Sequence, residues 1–163
     1  VVLLDEMDNA NPSVLTTLNS AISNGHYTFP DGVMVERHPD FVLVAAGNTY
    51  GKGADRLYVG RNQLDAAFLD RWITIDWDYD EDLERDIAQL DWWVQWVQRV
   101  RKAAFDSQMR VVISPRASID GAIMIRGGME PSRVAELRVW GNMSADDRNR
   151  LESQAGKPVA PQS

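Results

Sequence analysis

The chain has no cysteine, which excludes disulfides and thiolate metal sites and makes a reducing compartment, the cytoplasm, the expected location. No stretch approaches the ~20 consecutive apolar residues of a membrane span, so no membrane segment is expected. Positive charge is in deficit: 17 Lys and Arg against 24 Asp and Glu give a net charge of −7. No basic patch suited to neutralising phosphates stands out, and nucleic acid is not an expected partner. No internal repeat is apparent. The only histidines, His26 and His38, are lone residues in or beside turns, where metal binding is not expected. What is present is an ordinary globular composition, 44% hydrophobic and 25% charged over 163 residues, enough for one domain or one and a half small ones.

The first part alternates strand and helix signals. Val1 to Leu4 is an unbroken apolar run closed by Asp5 and Glu6, which suits a parallel strand buried on both faces. Asn11-Pro12 reads as an N-cap and first helical residue, followed by Val14, Leu15, Leu18, Ala21 and Ile22 at helical spacing and ended by Asn24-Gly25. His26–Phe29 and Val33–Glu36 flank Pro30-Asp31-Gly32 and predict a hairpin. Phe41 to Ala46 is a second buried strand, tipped by Gly47-Asn48-Thr49. A short helix is expected over Gln63 to Leu69 and a third strand over Trp72 to Ile75.

Beyond Asp76 only helical signals remain. One long helix is predicted from Asp80 to about Phe105, its stripe marked by Leu83, Ile87, Leu90, Val94 and Val97 and widened by Trp93, Trp96 and Val100. Acids crowd its start, where they favour the positive end of the helix dipole. Trp92, Trp93 and Trp96 are expected to pack in the core at helical spacing; for Trp92, about 100° from Trp93, the alternative is a place outside the stripe, with contacts elsewhere. Ser114-Pro115 opens another helix that stops at Gly127-Gly128. Pro131 opens a third, to about Trp140, and Ser144 with Asp147 forms a capping-box signature for a fourth. Residues from about Ser153 onward are expected to fray. The expected division is therefore 1–78, the C-terminal part of an α/β core; 79–152, a helical lid; and 153–163, a flexible tail.

Four features carry chemistry. Asp5 and Glu6 end an expected buried parallel strand, at the edge where open α/β sheets bind ligands; in P-loop enzymes, which such an ending resembles, the first acid orients Mg²⁺, usually through water, and the second polarises an attacking water. Acids after a strand also serve simply as helix caps. Asn48, at the next strand's tip, has an amide that reaches a γ-phosphate or that water, or else forms a turn. Arg71, after Asp70, either pairs locally or projects into a neighbouring subunit's nucleotide site. Arg116 stands in a first helical turn, a position the dipole disfavours for a cation, which suggests a partner; a surface salt bridge is the alternative.

Together, Val1–Glu6, Ala46–Thr49, Ala67-Phe68-Leu69-Asp70-Arg71-Trp72 and Ser114-Pro115-Arg116-Ala117 resemble the AAA+ ATPases, and more narrowly their MoxR and dynein-related branch. The segment from Gly47-Asn48-Thr49 through Leu57-Tyr58-Val59-Gly60-Arg61-Asn62 to Leu69-Asp70-Arg71-Trp72 is similar to the ATPase subunit of aerobic cobaltochelatase. The likeness runs from Val1 to about Ala117. It implies a partial P-loop NTPase parallel sheet followed by an all-helical lid, with ATP and Mg²⁺ as cofactors. Asp5 would be the Mg²⁺-associated Walker B acid, Glu6 the catalytic base, Asn48 sensor 1, Arg71 an arginine finger acting in trans, and Arg116 the sensor 2 arginine. The hairpin at Pro30–Gly32 would match the insertion before sensor 1, facing the ring's pore or a partner; Arg56 and Arg61, which match no motif of the family, are further candidates to face a neighbouring subunit. The resemblance further implies a homo-oligomeric ring, a hexamer, that remodels a partner in chelatase-like or chaperone-like fashion, the partner being a protein with a metal-dependent adhesion domain.

One departure is large. No Gly-x-x-x-x-Gly-Lys-Ser/Thr occurs in these residues, and Gly47 with Gly51-Lys52-Gly53 does not have that spacing. The chain is expected to be the later part of a longer ATPase and to bind ATP poorly by itself. Two rival expectations are a pseudo-ATPase that serves only as an assembly module, and, against the acidic balance, a nucleic-acid motor.

Overall fold

A computed structural model of the chain describes residues 1–55 and 57–161. They form two compact units, Val1–Ile75 and Asp76–Ser163, a mixed α/β part with a small parallel sheet and an all-helical part. Among the described residues no helix is long and apolar enough to cross a membrane.

In the first unit, β1 (Val2–Leu4) pairs in parallel with β4 (Leu43–Ala45), Val2 opposite Leu43 and Leu4 opposite Ala45. Between them lie α1 (Pro12–Asn24) and an antiparallel hairpin of β2 (His26–Thr28) and β3 (Met34–Glu36). Asn11 caps α1 by accepting from the Ser13 N–H at 2.9 Å, and Gly25 closes it at φ 72°, in the left-handed region that glycine enters without strain. The hairpin turn is held by the Asp31 carboxylate, which accepts from the Val33 N–H at 3.0 Å.

Three expectations fail in this unit. The β1 and β4 runs were expected to be buried, yet Val2 and Leu3 of β1 and Val44 of β4 are exposed, Leu3 by 58%. The unit's core gathers elsewhere, around Leu15, Leu64 and Phe68 with Leu18, Ile22, Leu69 and Trp72 against them. The short helix α2 covers only Ala66–Leu69, because Asp65 caps it and Gln63 instead bridges Lys52 in an antiparallel pair. The strand expected over Trp72–Ile75 does not form, and Ile73 is 93% exposed. Its β-branched run has strand propensity, but among the described residues no strand offers it a ladder.

The helical unit contains α3 (Glu81–Ala88), α4 (Asp91–Asp106), α5 (Pro115–Arg126), α6 (Pro131–Ala135), which continues into a π-helical turn over Glu136–Trp140, and α7 (Ala145–Ala155). The single helix expected over 80–105 is two. Gln89 turns left-handed at φ 51° and its N–H closes on the Arg85 carbonyl, ending α3. Leu83 and Ile87, assigned to the buried stripe, face solvent, and α3 instead buries Glu84 and Ala88. Trp93, Val94, Trp96, Val97 and Val100 of α4 fill the core with Val134, Trp140 and Leu151. Trp92 is half-buried against that core, edge-on to Trp93 at 6.1 Å, in keeping with the packing expected of the tryptophans. The tail is better anchored than expected: α7 runs to Ala155, and the Trp96 indole N–H donates to the Gly156 carbonyl at 2.9 Å. The Ser144 hydroxyl caps α7 by accepting from the Asp147 N–H at 3.1 Å.

Glu84 is buried without being stranded. Arg101 reaches its two oxygens at 2.7 and 2.8 Å, a bidentate pair, and donates its Nε–H to the Ile113 carbonyl at 2.7 Å. Burial alone would raise the Glu84 carboxyl, but the Arg101 hydrogen bonds and charge, with the Gln98 amide, outweigh it and hold the group below its ordinary value.

Candidate functional site

The site begins where β1 runs out. Asp5 Oδ1 accepts the Glu6 N–H at 2.9 Å, and Glu6 takes a left-handed conformation (φ 50°, ψ 41°) that starts a single 3₁₀ turn over Met7–Asn9. A non-glycine residue there is uncommon, and it turns the chain sharply so that both carboxylates stay exposed at the strand's end. The parallel ladder continues past β4: the Ala46 N–H donates to the Leu4 carbonyl at 2.9 Å and the Met7 N–H to the Ala46 carbonyl at 2.8 Å. The tip Gly47-Asn48-Thr49 is thereby fixed beside the two acids, with Asn48 exposed. The acid pair and the amide thus share one sheet edge.

What secures that edge is Asp8, a residue sequence reasoning passed over. It is 1% exposed, and its Oδ2 accepts three hydrogen bonds from the β4 tip: the Asn48 N–H at 3.1 Å, the Thr49 N–H at 2.9 Å and the Thr49 hydroxyl at 2.8 Å. The Asp8 carbonyl also accepts the Asn62 N–H at 2.9 Å. A Cβ added at Gly47 would meet the Asp8 carboxylate at 3.3 Å, so the tip sits close against it. The available sequence signal was a hydroxyl residue directly after Asn48, opposite a short acid just past the motif, a match of donors to acceptor that periodicity does not register.

Arg61 completes the cluster. Its NH1 lies 3.4 Å from Glu6 Oε2 and 3.4 Å from Asp8 Oδ1, and its side chain is 11% exposed. Asn9 Nδ2 approaches the same Glu6 oxygen at 3.4 Å. Arg61 is therefore turned toward the acids of its own unit, whereas the sequence had made it a candidate to face a neighbour; Arg56, the other such candidate, lies outside the described residues.

The remaining predicted residues are placed elsewhere. Arg71 follows α2, donating its Nε–H to the Ser23 hydroxyl at 2.8 Å and an NH1 proton to the Ala67 carbonyl, which ties it to the end of α1 and to its own helix. Arg116 is the second residue of α5 in the helical unit, with its side chain exposed and its carbonyl accepting from Arg138 at 3.4 Å. A cavity of about 230 Å³ lies under the hairpin, lined by Ala21, Tyr27, Phe29, Val35 and Phe41 among others, and none of the predicted site residues lines it.

The donor set decides what could bind. Among the described residues no group of three or more His, Asp or Glu side chains is arranged to hold a metal ion. Two adjacent exposed carboxylates suit Mg²⁺ held by one of them together with water and substrate phosphates, the usual manner for that ion. The phosphate cradle is a different matter. Gly51 and Gly53 have positive φ, but a Cβ on Gly51 would strike Leu69 and one on Gly53 would touch Gln63, so that loop packs on its own unit.

This geometry agrees with the comparison to known families. Residues 1–72 match the model of the AAA domain, dynein-related subfamily. Such domains generally bind ATP and Mg²⁺, and the match supports reading this stretch as part of an AAA+ ATPase.

Proposed function

We propose that this chain is the catalytic half of an ATP-hydrolysing ring ATPase of the MoxR type, cobaltochelatase-like, and that the full-length protein uses the cycle to remodel a partner protein. The observation that carries the reading is the parallel pairing of β1 with β4, which sets Asp5, Glu6 and Asn48 on one sheet edge. In this reading Asp5 holds the ion through water. Glu6 takes the proton from the attacking water, and Asn48 orients that water or the γ-phosphate. Mg²⁺, when bound with the nucleotide, supplies neutralisation of the charge that develops on the transferred phosphoryl group. Arg71 would act on a neighbouring subunit's nucleotide, and Arg116 would be the sensor 2 arginine. The ring is taken as a hexamer and the partner as a protein with a metal-dependent adhesion domain, in the cytoplasm.

A second reading is favoured for Arg71 alone. Its bonds to Ser23 and Ala67 give it a local task, bracing α2 against α1. Mixed rings separate the two. Arg71→Ala and Glu6→Gln subunits should each be inactive alone and regain hydrolysis on mixing, because a junction between them pairs an intact Glu6 with an intact Arg71. No recovery on mixing would leave Arg71 with the bracing role.

A further inference from the structure

The cluster around Asp8 carries an inference about how the acid at position 6 is oriented. Both donors that reach Glu6, Asn9 Nδ2 and Arg61 NH1, approach the same oxygen, Oε2, each at 3.4 Å. Among the described residues no hydrogen bond is made to Oε1. A carboxylate approached by donors at one oxygen is biased to turn the other away from them, the arrangement in which a base is oriented by a third group. Arg61 is itself held: its side chain is 89% buried by the complement of its 11% exposure, and its NH1 also lies 3.4 Å from Asp8 Oδ1. Among the described residues that oxygen has no hydrogen-bond partner, while Oδ2 accepts from both Asn48 and Thr49. A continuous polar path thus runs from Glu6 through Arg61 and Asp8 to the β4 tip.

We propose that Arg61 is a positioning residue that draws Glu6 by Oε2 and, through Asp8, links it to the Asn48 tip, leaving Oε1 to take the proton of the attacking water. The proposal rests on Glu6 being the base. Asp8 then has two separable tasks, one per oxygen: Oδ2 fastens the strand tip and Oδ1 anchors the arginine. Removing Arg61 should loosen the base without releasing the tip, because the three bonds to Oδ2 do not involve it.

The test uses the full-length protein with Arg61→Ala, Arg61→Lys, Glu6→Gln and the Arg61→Ala/Glu6→Gln double variant. ATP binding, ATP hydrolysis and amide hydrogen exchange over residues 43–50 are measured for each. Arg61→Ala should lower kcat about 10- to 100-fold, the usual cost of a misplaced group, with ATP affinity and exchange over 43–50 unchanged. Arg61→Lys, which can still offer one donor to Oε2, should recover part of kcat. The double variant should be no slower than Glu6→Gln, since residues acting as a unit are not additive. Faster exchange over 43–50 in both Arg61 variants would make Arg61 a structural brace and overturn the proposal, as would unchanged kcat in Arg61→Ala. If Glu6→Gln itself hydrolyses ATP normally, it is the assignment of the base that fails.

Discussion

Among the described residues each unit buries one carboxylate and sets an arginine against it, and the two pairs are built differently. Glu84, 2% exposed, is gripped by Arg101 through two bonds of 2.7 and 2.8 Å, inside a unit whose core holds two fully buried tryptophans. Asp8, 1% exposed, meets Arg61 only at 3.4 Å and, among the described residues, keeps one oxygen without a hydrogen bond, in a unit whose buried apolar core is Leu15, Leu64 and Phe68. The first pair is saturated and joins two helices. The second is loose and shares its arginine with an exposed acid. A fully satisfied buried network rigidifies what it joins, and a partly satisfied one leaves room to rearrange. The predicted chemistry lies on the loose pair, which is where a site that must bind, react and release would be placed.

The comparison can be strained from the tight side first. Arg101→Met leaves Glu84 buried and uncompensated and should cost the helical unit about 3–5 kcal/mol, read by denaturant unfolding. The same pair gives a pH signature. The folded Glu84 carboxyl lies below its ordinary value of 4.5, so its stabilisation is complete above 4.5. As pH falls below that, the unfolded chain takes up the proton first and stability declines until the folded carboxyl titrates too. Glu84→Gln should flatten that slope, and an unaltered slope would remove Glu84 as its source.

A smaller effect is expected on the loose side. Asp8→Ala strips three donors at the β4 tip of their acceptor and should cost about 1–3 kcal/mol. Exchange at the Asn48 and Thr49 amides should accelerate while α4 stays protected; equal loss in both units would erase the distinction drawn between them. The smallest effect returns to the helical core. A Cβ at Gly121 would fall 2.5 Å from the buried Trp93 indole nitrogen. Overpacking set against alanine's better helix propensity leaves a net cost of about 1–2 kcal/mol for Gly121→Ala, measurable as a lower Tm.

Caps and motif order were legible in the sequence. Asn11, Gly25, Asp31 and Ser144 act through local geometry, and each makes its expected turn or cap. The acid pair was legible because an apolar run ending in acids is a local pattern, and β4's amide tip was legible for the same reason. What escaped was decided by partners far along the chain. Leu83 and Ile87 fit the helical stripe, but the break at Gln89 sets α3 apart from α4 and turns Glu84 and Ala88 inward instead. Ile73 and Ile75 have strand propensity without a neighbouring ladder. Asp8 was hidden because its burial depends on Thr49 and Arg61, 41 and 53 residues later by chain position.

The central claim is that the carboxylate at the end of β1 is the base of an ATPase, and a single pair of readings on Glu6→Gln in the full-length protein tests it. Hydrolysis should fall about 10²- to 10⁴-fold, the usual contribution of a general base, with ATP still bound at near wild-type affinity. Hydrolysis that survives the substitution at a comparable rate would contradict the account.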